Sequence, residues 1–297
     1  MHGTLPENFV HSIIVPISKG QNVNAANSAN FCGIALSSVY EKLFDNIVLF
    51  QFSDKLKTSQ LQIGFKVKSS TNLCTFVLKE ALSYYATNQS NVFCTFLDAT
   101  KAFDRISYCK LFWLLLKRNL STSIVRVLIC FYTNNFVRVS WCGLFSEYFL
   151  ATNGVKQGGV LSPVLFCVYI DDLLVLLLNT NIGRFIGNNY VGALAYADDL
   201  ILLAPSASAL CRMLAICETY AAEYCTSFNA QKSKCLVILS NACRYLRPLL
   251  LNNVSYVGGK LTDCVSSFPH LGHAITDTLD DEPDITKRLG NFIGHVK

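Results

Sequence analysis

Two adjacent aspartates, Asp198 and Asp199, interrupt an apolar stretch over residues 190–204. Aspartate favours turns over strands, so the stretch is predicted to form two short strands joined by a hairpin whose tip carries the pair. Asp98 ends a second apolar run, Val92–Asp98, which is rich in β-branched and aromatic residues and is typical of a buried strand. Carboxylates beside buried strands are costly unless something compensates their charge. These three acids therefore constrain the fold most strongly.

Carboxylates on neighbouring strands of one sheet can converge on Mg²⁺, which prefers oxygen ligands and keeps water or substrate phosphates in its shell. Two such ions, about 3.5–4 Å apart, can activate an attacking hydroxyl and stabilise a leaving oxygen, as phosphoryl transfer requires. Mn²⁺ could replace Mg²⁺ at such a site. The residues alone leave another interpretation open, in which Asp198 and Asp199 form a solvated turn and Asp98 caps a helix.

Composition indicates a folded protein without a membrane span. The chain is 52% hydrophobic and 15% charged, against about 25% charged residues in typical domains. Its longest apolar run, residues 164–170, ends at Asp171 and Asp172 and is far shorter than the roughly 18 residues that cross a bilayer. We therefore expect no membrane partner, and we expect these two aspartates to form the polar face of a helix.

Charge is weakly suggestive of an anionic partner. The net charge is 25 minus 20, or +5, and residues 55–79 contain five lysines and no acid. A polyanion could bind such a stretch, although on charge alone a solvated lysine surface is the favoured interpretation.

Cysteine usage indicates a reducing compartment. The chain has 13 cysteines without CxxC spacing, and its first ten residues do not form a secretory signal. We expect free thiols and an intracellular protein, in the cytoplasm or nucleus, that is not secreted. Cys264, His270 and His273 have ligand-like spacing but lack a fourth ligand, so zinc is not expected there.

The order of predicted elements indicates the fold class. A helix is expected over residues 35–50. From Val92 onward the order is strand, helices, a long helix starting at Ser162, the Asp198 hairpin, a helix, and a strand over residues 234–239. This order predicts an α+β fold with a ferredoxin-like split βαβ sheet, with helices on one face and the other face free to hold a duplex.

Three segments carry a family resemblance: FLDATKAFDRI (96–106), GVKQGGVLSPVLF (154–166) and AYADDLILL (195–203). In this order they resemble the polymerase motifs of reverse transcriptases, especially those of LINE-like, non-LTR retrotransposons, which are related to the group II intron enzymes. Supporting matches are IIVPISKG (13–20), NFCGIALSSVYEKLFDNIV (30–48), QIGFKVKSST (62–71), SFNAQKSKCLVI (227–238) and FPHLG (268–272).

The resemblance implies a right-hand polymerase with fingers and a palm. Its fingers would comprise residues 1–90 together with a segment at roughly 119–155, and its palm residues 91–280. Residues 281–297 would begin a thumb that is largely missing.

The resemblance also assigns catalytic residues. Asp98 and Asp198 would bind both metal ions, and Asp199 would be auxiliary. Lys232 would donate a proton to the departing pyrophosphate, with Lys234 as the alternative donor.

Nucleotide binding would depend on residues elsewhere in the chain. Phe103 would exclude a 2′-hydroxyl and so favour dNTPs, although a core phenylalanine would look the same. Gln157 would contact the incoming nucleotide, while Gly158 and Gly159 would allow close backbone approach. Lys19 would approach the triphosphate, and the lysines over residues 55–79 would line the template path.

The implied function is an RNA-directed DNA polymerase core that extends a DNA or RNA primer on an RNA template with dNTPs and two Mg²⁺ ions. Its oligomeric state is left open. Relatives usually carry arginine where this chain has Cys32, so a catalytically silent remnant that keeps the fold and weak nucleic-acid binding is the alternative. An RNA polymerase shares the paired aspartates, but Phe103 argues against it.

Asp104 is expected to cap a helix or to pair with Arg105 or Lys101 rather than to bind metal.

Overall fold

A computed structural model describes residues 7–20, 23–240, 256–257, 260–261 and 263–296. Residues 241–255, within the predicted palm, lie outside the described residues, as do residues 1–6 of the N-terminal segment and residues 21–22.

The chain forms two compact units, each built from two segments. Unit 1 comprises residues 1–57 and 101–169, and unit 2 comprises residues 58–100 and 170–297. The boundaries expected for fingers, palm and thumb stay predictions.

The described residues form both helices and strands. The helices are α1 (Glu7–Val10), α2 (Val39–Phe52), α3 (Thr71–Thr87), α4 (Tyr108–Lys117), α5 (Thr122–Thr133), α6 (Ser162–Asn179), α7 (Ala207–Glu223) and α8 (Glu282–Val296). The strands are β1 (His11–Ser18), β2 (Phe31–Leu36), β3 (Val92–Asp98), β4 (Phe136–Trp141), β5 (Leu144–Phe145), β6 (Phe149–Leu150), β7 (Phe185–Ile186), β8 (Asn189–Tyr190), β9 (Ala193–Tyr196), β10 (Asp199–Ala204), β11 (Lys234–Ile238), β12 (Tyr256–Val257), β13 (Lys260–Leu261), β14 (Asp263–Val265), β15 (Ser267–His270) and β16 (His273–Thr276).

Unit 1 contains a mixed sheet in the order β2-β1-β4-β5, with β6 also paired to β4. β1 runs antiparallel to β2 and parallel to β4. The helix expected over residues 35–50 is therefore wrong at its start, because residues 31–36 form a strand instead. Short apolar runs fit either helix or strand, and here pairing with β1 decides between them. α2 begins only after Ser38, whose side chain accepts a hydrogen bond from Glu41 N at 3.1 Å.

Unit 2 contains a sheet in the order β14-β11-β3-β10-β9. Its central strand, β3, is antiparallel to both β10 and β11. The predicted strand Val92–Asp98 and the predicted hairpin are confirmed. The tip of that hairpin is Ala197 and Asp198, since Asp199 already belongs to β10.

Both faces of this sheet are buried, so the expectation of a free face is wrong. Val92, Cys94 and Phe96 pack in one apolar cluster with residues of α3. On the opposite face, Phe93 and Leu97 are each at most 3% exposed. α7 contacts β10 as well. Apart from Thr95 and the charged residues at strand ends, β3, β10 and β11 are continuously apolar rather than alternating, which is typical of sheets covered on both sides.

The long helix α6 starts at Ser162, as predicted. Its length and apolar composition would allow it to cross a membrane, but most of its residues are buried within the protein, as in a core helix. The polar face expected at Asp171 is wrong. Asp171 is 4% exposed, and its Oδ1 accepts a hydrogen bond from Ser59 N at 2.8 Å.

Candidate active site

Strand pairing in unit 2 brings the predicted acids together. Asp98 and Asp199 are direct partners in the antiparallel β3–β10 ladder, and such partners have Cα atoms roughly 4.5–5.5 Å apart. Asp198 precedes Asp199 at the hairpin tip. The preceding residue, Ala197, has a φ of 55°, a left-handed conformation that is uncommon for a residue with a side chain. Residues distant in sequence thus become neighbours at one end of the sheet.

The electrostatics of this cluster disfavour its ionised form. Burial, followed by the charges of Asp198 and Asp98, raises the pKa of Asp199 from 3.8 to about 6. Burial and the charge of Asp98 also raise the pKa of Asp198. Ionised carboxylates therefore repel one another here, and a divalent cation would relieve that repulsion.

The donor set fits a hard divalent cation. All three side chains offer oxygen atoms, which Mg²⁺ prefers. Within the described residues, no three His, Cys, Asp or Glu side chains are gathered closely enough to hold an ion by themselves. The metal-binding role of the three carboxylates therefore stays a prediction, in which they provide part of a coordination shell. Mg²⁺ usually takes the remainder from water and substrate phosphates.

Lys232 is the cation beside these acids. Its Nζ lies 4.0 Å from Asp98 Oδ2, and its side chain is 64% exposed. Lys234, the alternative proton donor, instead forms an ion pair of 2.6 Å with Asp263. Of the two lysines, the structure therefore brings only Lys232 to the acid cluster.

A short turn positions Lys232. Asn229 N donates a hydrogen bond to Asp98 O at 2.8 Å, and Asp98 N donates one to Ser233 Oγ at 3.2 Å. Within the turn, Lys232 N donates to Asn229 Oδ1 at 3.3 Å. These bonds attach both ends of the turn to the strand that carries Asp98.

A cavity of about 290 Å³ opens beside the acids. Its wall combines charged groups with the β15–β16 hairpin, and it is lined by Phe96, Leu97, Asp98, Asp199, Leu200, Lys232, Phe268, Pro269, His270 and Leu271. Burial, and to a lesser extent the charge of His273, lowers the pKa of His270 to about 4. The cavity thus places a neutral imidazole beside the acids.

The predicted nucleotide-binding residues lie in unit 1, where Gln157 is held at both ends of its amide. Cys32 Sγ donates a hydrogen bond to Gln157 Oε1 at 2.8 Å, and Gln157 Nε2 donates one to Asp104 Oδ1 at 3.3 Å. Ala35 N also donates to Gln157 O at 2.6 Å. The contact with Asp104 was not predicted from the sequence.

Gly158 follows Gln157 with a φ of 100°, so it needs glycine's conformational freedom. A Cβ there would also lie 3.1 Å from Ala35 O.

Phe103 is half-buried, and its ring stacks on Phe166 with centroids 5.0 Å apart. Lys19 is exposed just beyond the end of β1. The structure therefore groups Gln157 and Gly158 against β2, whereas Phe103 packs on α6.

Several lysines expected along a template path contact the chain itself. These contacts are Lys57 with Asp54, Lys66 with Ser59 O, and Lys79 with Asp281. His273, considered for a metal, hydrogen-bonds Asp284 and Asn72 instead.

Sequence reasoning missed a buried ionic network next to Gln157. Lys156 Nζ lies 2.8 Å from Glu41 Oε1, with side chains 4% and 1% exposed. Asp45 Oδ2 accepts a hydrogen bond from Leu161 N at 3.1 Å. Burial is the main cause that raises the pKa of Asp45 to about 6, and the charge of Glu41 contributes. The i, i+4 spacing of Glu41 and Asp45 on α2 is the one sequence signal that could have indicated a shared polar face.

Comparison with known families decides the classification. Residues 26–275 match the family described as "Reverse transcriptase (RNA-dependent DNA polymerase)". The chain belongs to the reverse transcriptase family. The resemblance to reverse transcriptases noted from the sequence is thus confirmed.

The curated relatives of this reverse transcriptase chain include retrotransposon proteins. It is 27% identical over 213 residues to the "Retrovirus-related Pol polyprotein from type-1 retrotransposable element R2" of Nasonia vitripennis, covering 70% of this chain and 20% of that protein. It is 26% identical over 266 residues to the "RNA-directed DNA polymerase from mobile element jockey" of Drosophila funebris, covering 87% of this chain and 28% of that protein. These relatives confirm the non-LTR branch, and the chain spans less than a third of either.

A solved structure shares the fold. Telomerase from Candida tropicalis, in complex with a fragment of telomeric RNA, superposes with a TM-score of 0.61 at 12% identity. The match covers 94% of this chain and 45% of that one. At this identity the likeness shows the reverse transcriptase fold alone.

Proposed function

We propose that this reverse transcriptase domain is the core of an RNA-directed DNA polymerase that adds dNTPs to a primer 3′-hydroxyl. The observation that carries the proposal is the direct pairing of Asp98 with Asp199, beside Asp198 at the hairpin tip. Burial, followed by the charges of neighbouring carboxylates, raises the pKa values of Asp198 and Asp199, as expected where a cation completes the site.

Asp98 and Asp198 would hold two Mg²⁺ ions, or Mn²⁺ in their place, with Asp199 as an auxiliary ligand. When bound, such ions polarise the reacting phosphate and lower the pKa of the attacking hydroxyl. The aspartates orient that chemistry at the end of β3 and β10. Lys232, 4.0 Å from Asp98, would act as a general acid, passing a proton from its ammonium to the departing pyrophosphate oxygen.

In unit 1, Gln157 would contact the incoming nucleotide with an amide that Cys32 and Asp104 hold in place. Gly158 would allow close backbone approach, and Phe103 would exclude a 2′-hydroxyl. Lys19 would contact the triphosphate. The stacking of Phe103 on Phe166 supports a fixed ring orientation.

We further propose a right-hand arrangement with a ferredoxin-like palm. The strand order β11-β3-β10-β9 supports it, because a split βαβ unit has the fourth, first, third and second strands in that order. The proposed partners are an RNA template, a DNA or RNA primer and dNTPs, with lysines over residues 55–79 near the template. The proposed location is intracellular.

Primer extension on an RNA template tests the function. The chain and its Asp198→Asn variant are compared with dNTPs and with rNTPs, with Mg²⁺ varied. We expect extension with dNTPs, and a loss of at least about a hundredfold in the variant, because metal assistance contributes several kcal/mol.

The outcomes separate the alternatives. Extension with rNTPs alone would contradict DNA synthesis, and normal extension by Asp198→Asn would contradict the metal assignment. No extension combined with salt-sensitive template binding would identify a silent remnant, for which the Cys32 substitution provides a reason.

A further inference from the structure

The tip of the aspartate hairpin contains a strained residue. Ala197 adopts a φ of 55° directly before Asp198. Left-handed backbone is strained for a residue with a Cβ, because the Cβ lies too close to the following carbonyl oxygen. Such conformations persist only where surrounding contacts determine them. The contacts that hold Ala197 therefore also fix the backbone position from which the Asp198 side chain projects.

The side chain of Gln62 makes those contacts. Its Oε1 accepts hydrogen bonds from Ala197 N at 3.0 Å and from Gly64 N at 2.9 Å, and its Nε2 donates one to Ala197 O at 3.3 Å. Gln62 is 0% exposed. One buried amide thus binds both main-chain polar groups of the residue before Asp198. An ionised carboxylate of the same reach could only accept hydrogen bonds, so it could not donate to Ala197 O.

The backbone around Gln62 brings its amide to this position. Ala195 N donates to Leu61 O at 2.8 Å, and Ile63 N donates to Ala195 O at 2.7 Å, so residues 61–63 run beside β9. A Cβ at Gly64 would lie only 2.6 Å from Ala197 N, so only glycine fits there. The segment therefore contacts the hairpin tip through backbone as well as side chain.

We propose that Gln62, supported by Gly64, is a positioning residue that orients Asp198 for metal binding. The proposal rests on the function proposed above, and it goes further by assigning a role to the QIGF segment (62–65). Gln62 does not touch substrate or metal. It acts by fixing the left-handed turn from which the Asp198 side chain projects.

Mg²⁺ binding to the free protein tests this role independently of catalysis. The Gln62→Met variant keeps the side-chain length but removes both hydrogen-bonding atoms. We expect its apparent Kd for Mg²⁺ by calorimetric titration to rise roughly 10- to 100-fold, as for groups that orient metal ligands. The matched control is Gln51→Met, because Gln51 is an exposed glutamine on α2. An unchanged Kd in Gln62→Met would overturn the proposal.

Two further variants, both expected to fold, cover the case in which Gln62→Met unfolds. Glycine adopts a positive φ without strain, so Ala197→Gly keeps the main-chain groups and can form the turn without the hydrogen bonds from Gln62. We expect Ala197→Gly alone to retain Mg²⁺ affinity and Ala197→Gly/Gln62→Met to lose it by the same factor. Equal affinities in these two proteins would overturn the positioning role.

Kinetics distinguish positioning from stability. In primer extension, Gln62→Met should raise the Mg²⁺ concentration for half-maximal rate by the same factor while the dNTP KM changes less than about twofold. A rate loss that merely follows the folded fraction would contradict the proposal. If the unaltered chain does not extend primers, the proposed polymerase function fails, while the Mg²⁺ titrations still decide the role of Gln62.

Discussion

Asp98 and Asp199 occupy directly paired positions on the antiparallel strands β3 and β10. Two carboxylates therefore start from neighbouring backbone positions, with a third at the adjoining turn. Their repulsion adds to burial in raising the pKa of Asp199 to about 6. Charge in the folded protein is thus concentrated where the proposed chemistry needs a cation.

Replacing Asp199 should stabilise the metal-free protein at neutral pH. Its folded-state pKa of about 6 lies above the usual 3.8. The contribution of Asp199 to the free energy of unfolding is therefore fully present below about pH 3.8 and is lost as the pH rises through about 6. The stability gain of Asp199→Asn should be about 1–2 kcal/mol larger at pH 7.5 than at pH 4.5, allowing for solvent screening.

Urea unfolding at the two pH values, without Mg²⁺, measures this difference. The control is Glu147→Gln, which removes an exposed carboxyl. A gain for Asp199→Asn that is the same at both pH values would show that carboxylate ionisation is not responsible.

Lys232 and Lys234 should differ sharply in kinetics. Lys232→Ala should lower kcat for primer extension by about 10²- to 10⁴-fold, the usual contribution of a general acid. Lys234→Ala loses only its ion pair with Asp263, so it should change kcat little. Lys232→Arg separates charge from proton donation, because arginine keeps its proton at all relevant pH values. Full activity in Lys232→Arg would mean that only the positive charge is needed.

Phe103 should control sugar selection. Phe103→Val replaces the ring by a smaller side chain and opens space for a 2′-hydroxyl. The ratio of kcat/KM for dNTPs to kcat/KM for rNTPs should therefore fall at least about tenfold. Competition assays with paired nucleotides measure that ratio. Phe50→Val is the control, since Phe50 is 86% exposed. An unchanged ratio in Phe103→Val would leave Phe103 with a packing role against Phe166.

Cys32 should affect nucleotide affinity through Gln157. Cys32→Val removes the donor to Gln157 Oε1, and the loss of one hydrogen bond of about 0.5–1.5 kcal/mol should raise the dNTP KM about 2- to 10-fold. Cys32→Ser keeps a donor and should bind dNTPs nearly as well as the unaltered chain. Steady-state kinetics at saturating primer and template would reveal the difference, and equal KM values for Cys32→Val and Cys32→Ser would contradict it.

The buried Lys156–Glu41 pair should behave unlike an exposed pair. Lys156→Met leaves Glu41 as an uncompensated buried charge and should lower the free energy of unfolding by about 3–5 kcal/mol. Glu41→Leu/Lys156→Met should recover most of that loss. In the exposed pair of Lys57 with Asp54, Lys57→Met should change the free energy of unfolding little, because solvent screens the two charges.

Urea unfolding of the two single variants and the double variant completes the cycle. A double variant no more stable than Lys156→Met would show that the pair matters for packing rather than for charge compensation.

Local patterns predicted most elements of the fold. The uniformly apolar run ending at Asp98 indicated a buried strand, and Ser162 marked the start of α6. The start of the helix expected over residues 35–50 was wrong, because only pairing with β1 makes residues 31–36 a strand. Asp171 was also misassigned, since its hydrogen-bond partner, Ser59 N, is 112 residues away.

The sequence by itself determined the chemical content of the candidate site: three aspartates, a nearby lysine and the motifs of a reverse transcriptase. It could do so because residue type and short-range spacing are local properties. Only the tertiary structure decided which groups meet. It brought Lys232 rather than Lys234 near Asp98, and it joined Gln157 to Cys32 and Asp104. It also placed the Gln62 amide within hydrogen-bonding distance of Ala197. Hydrogen bonds and ion pairs act over a few ångströms, and chain folding alone brings residues so far apart in sequence within that reach.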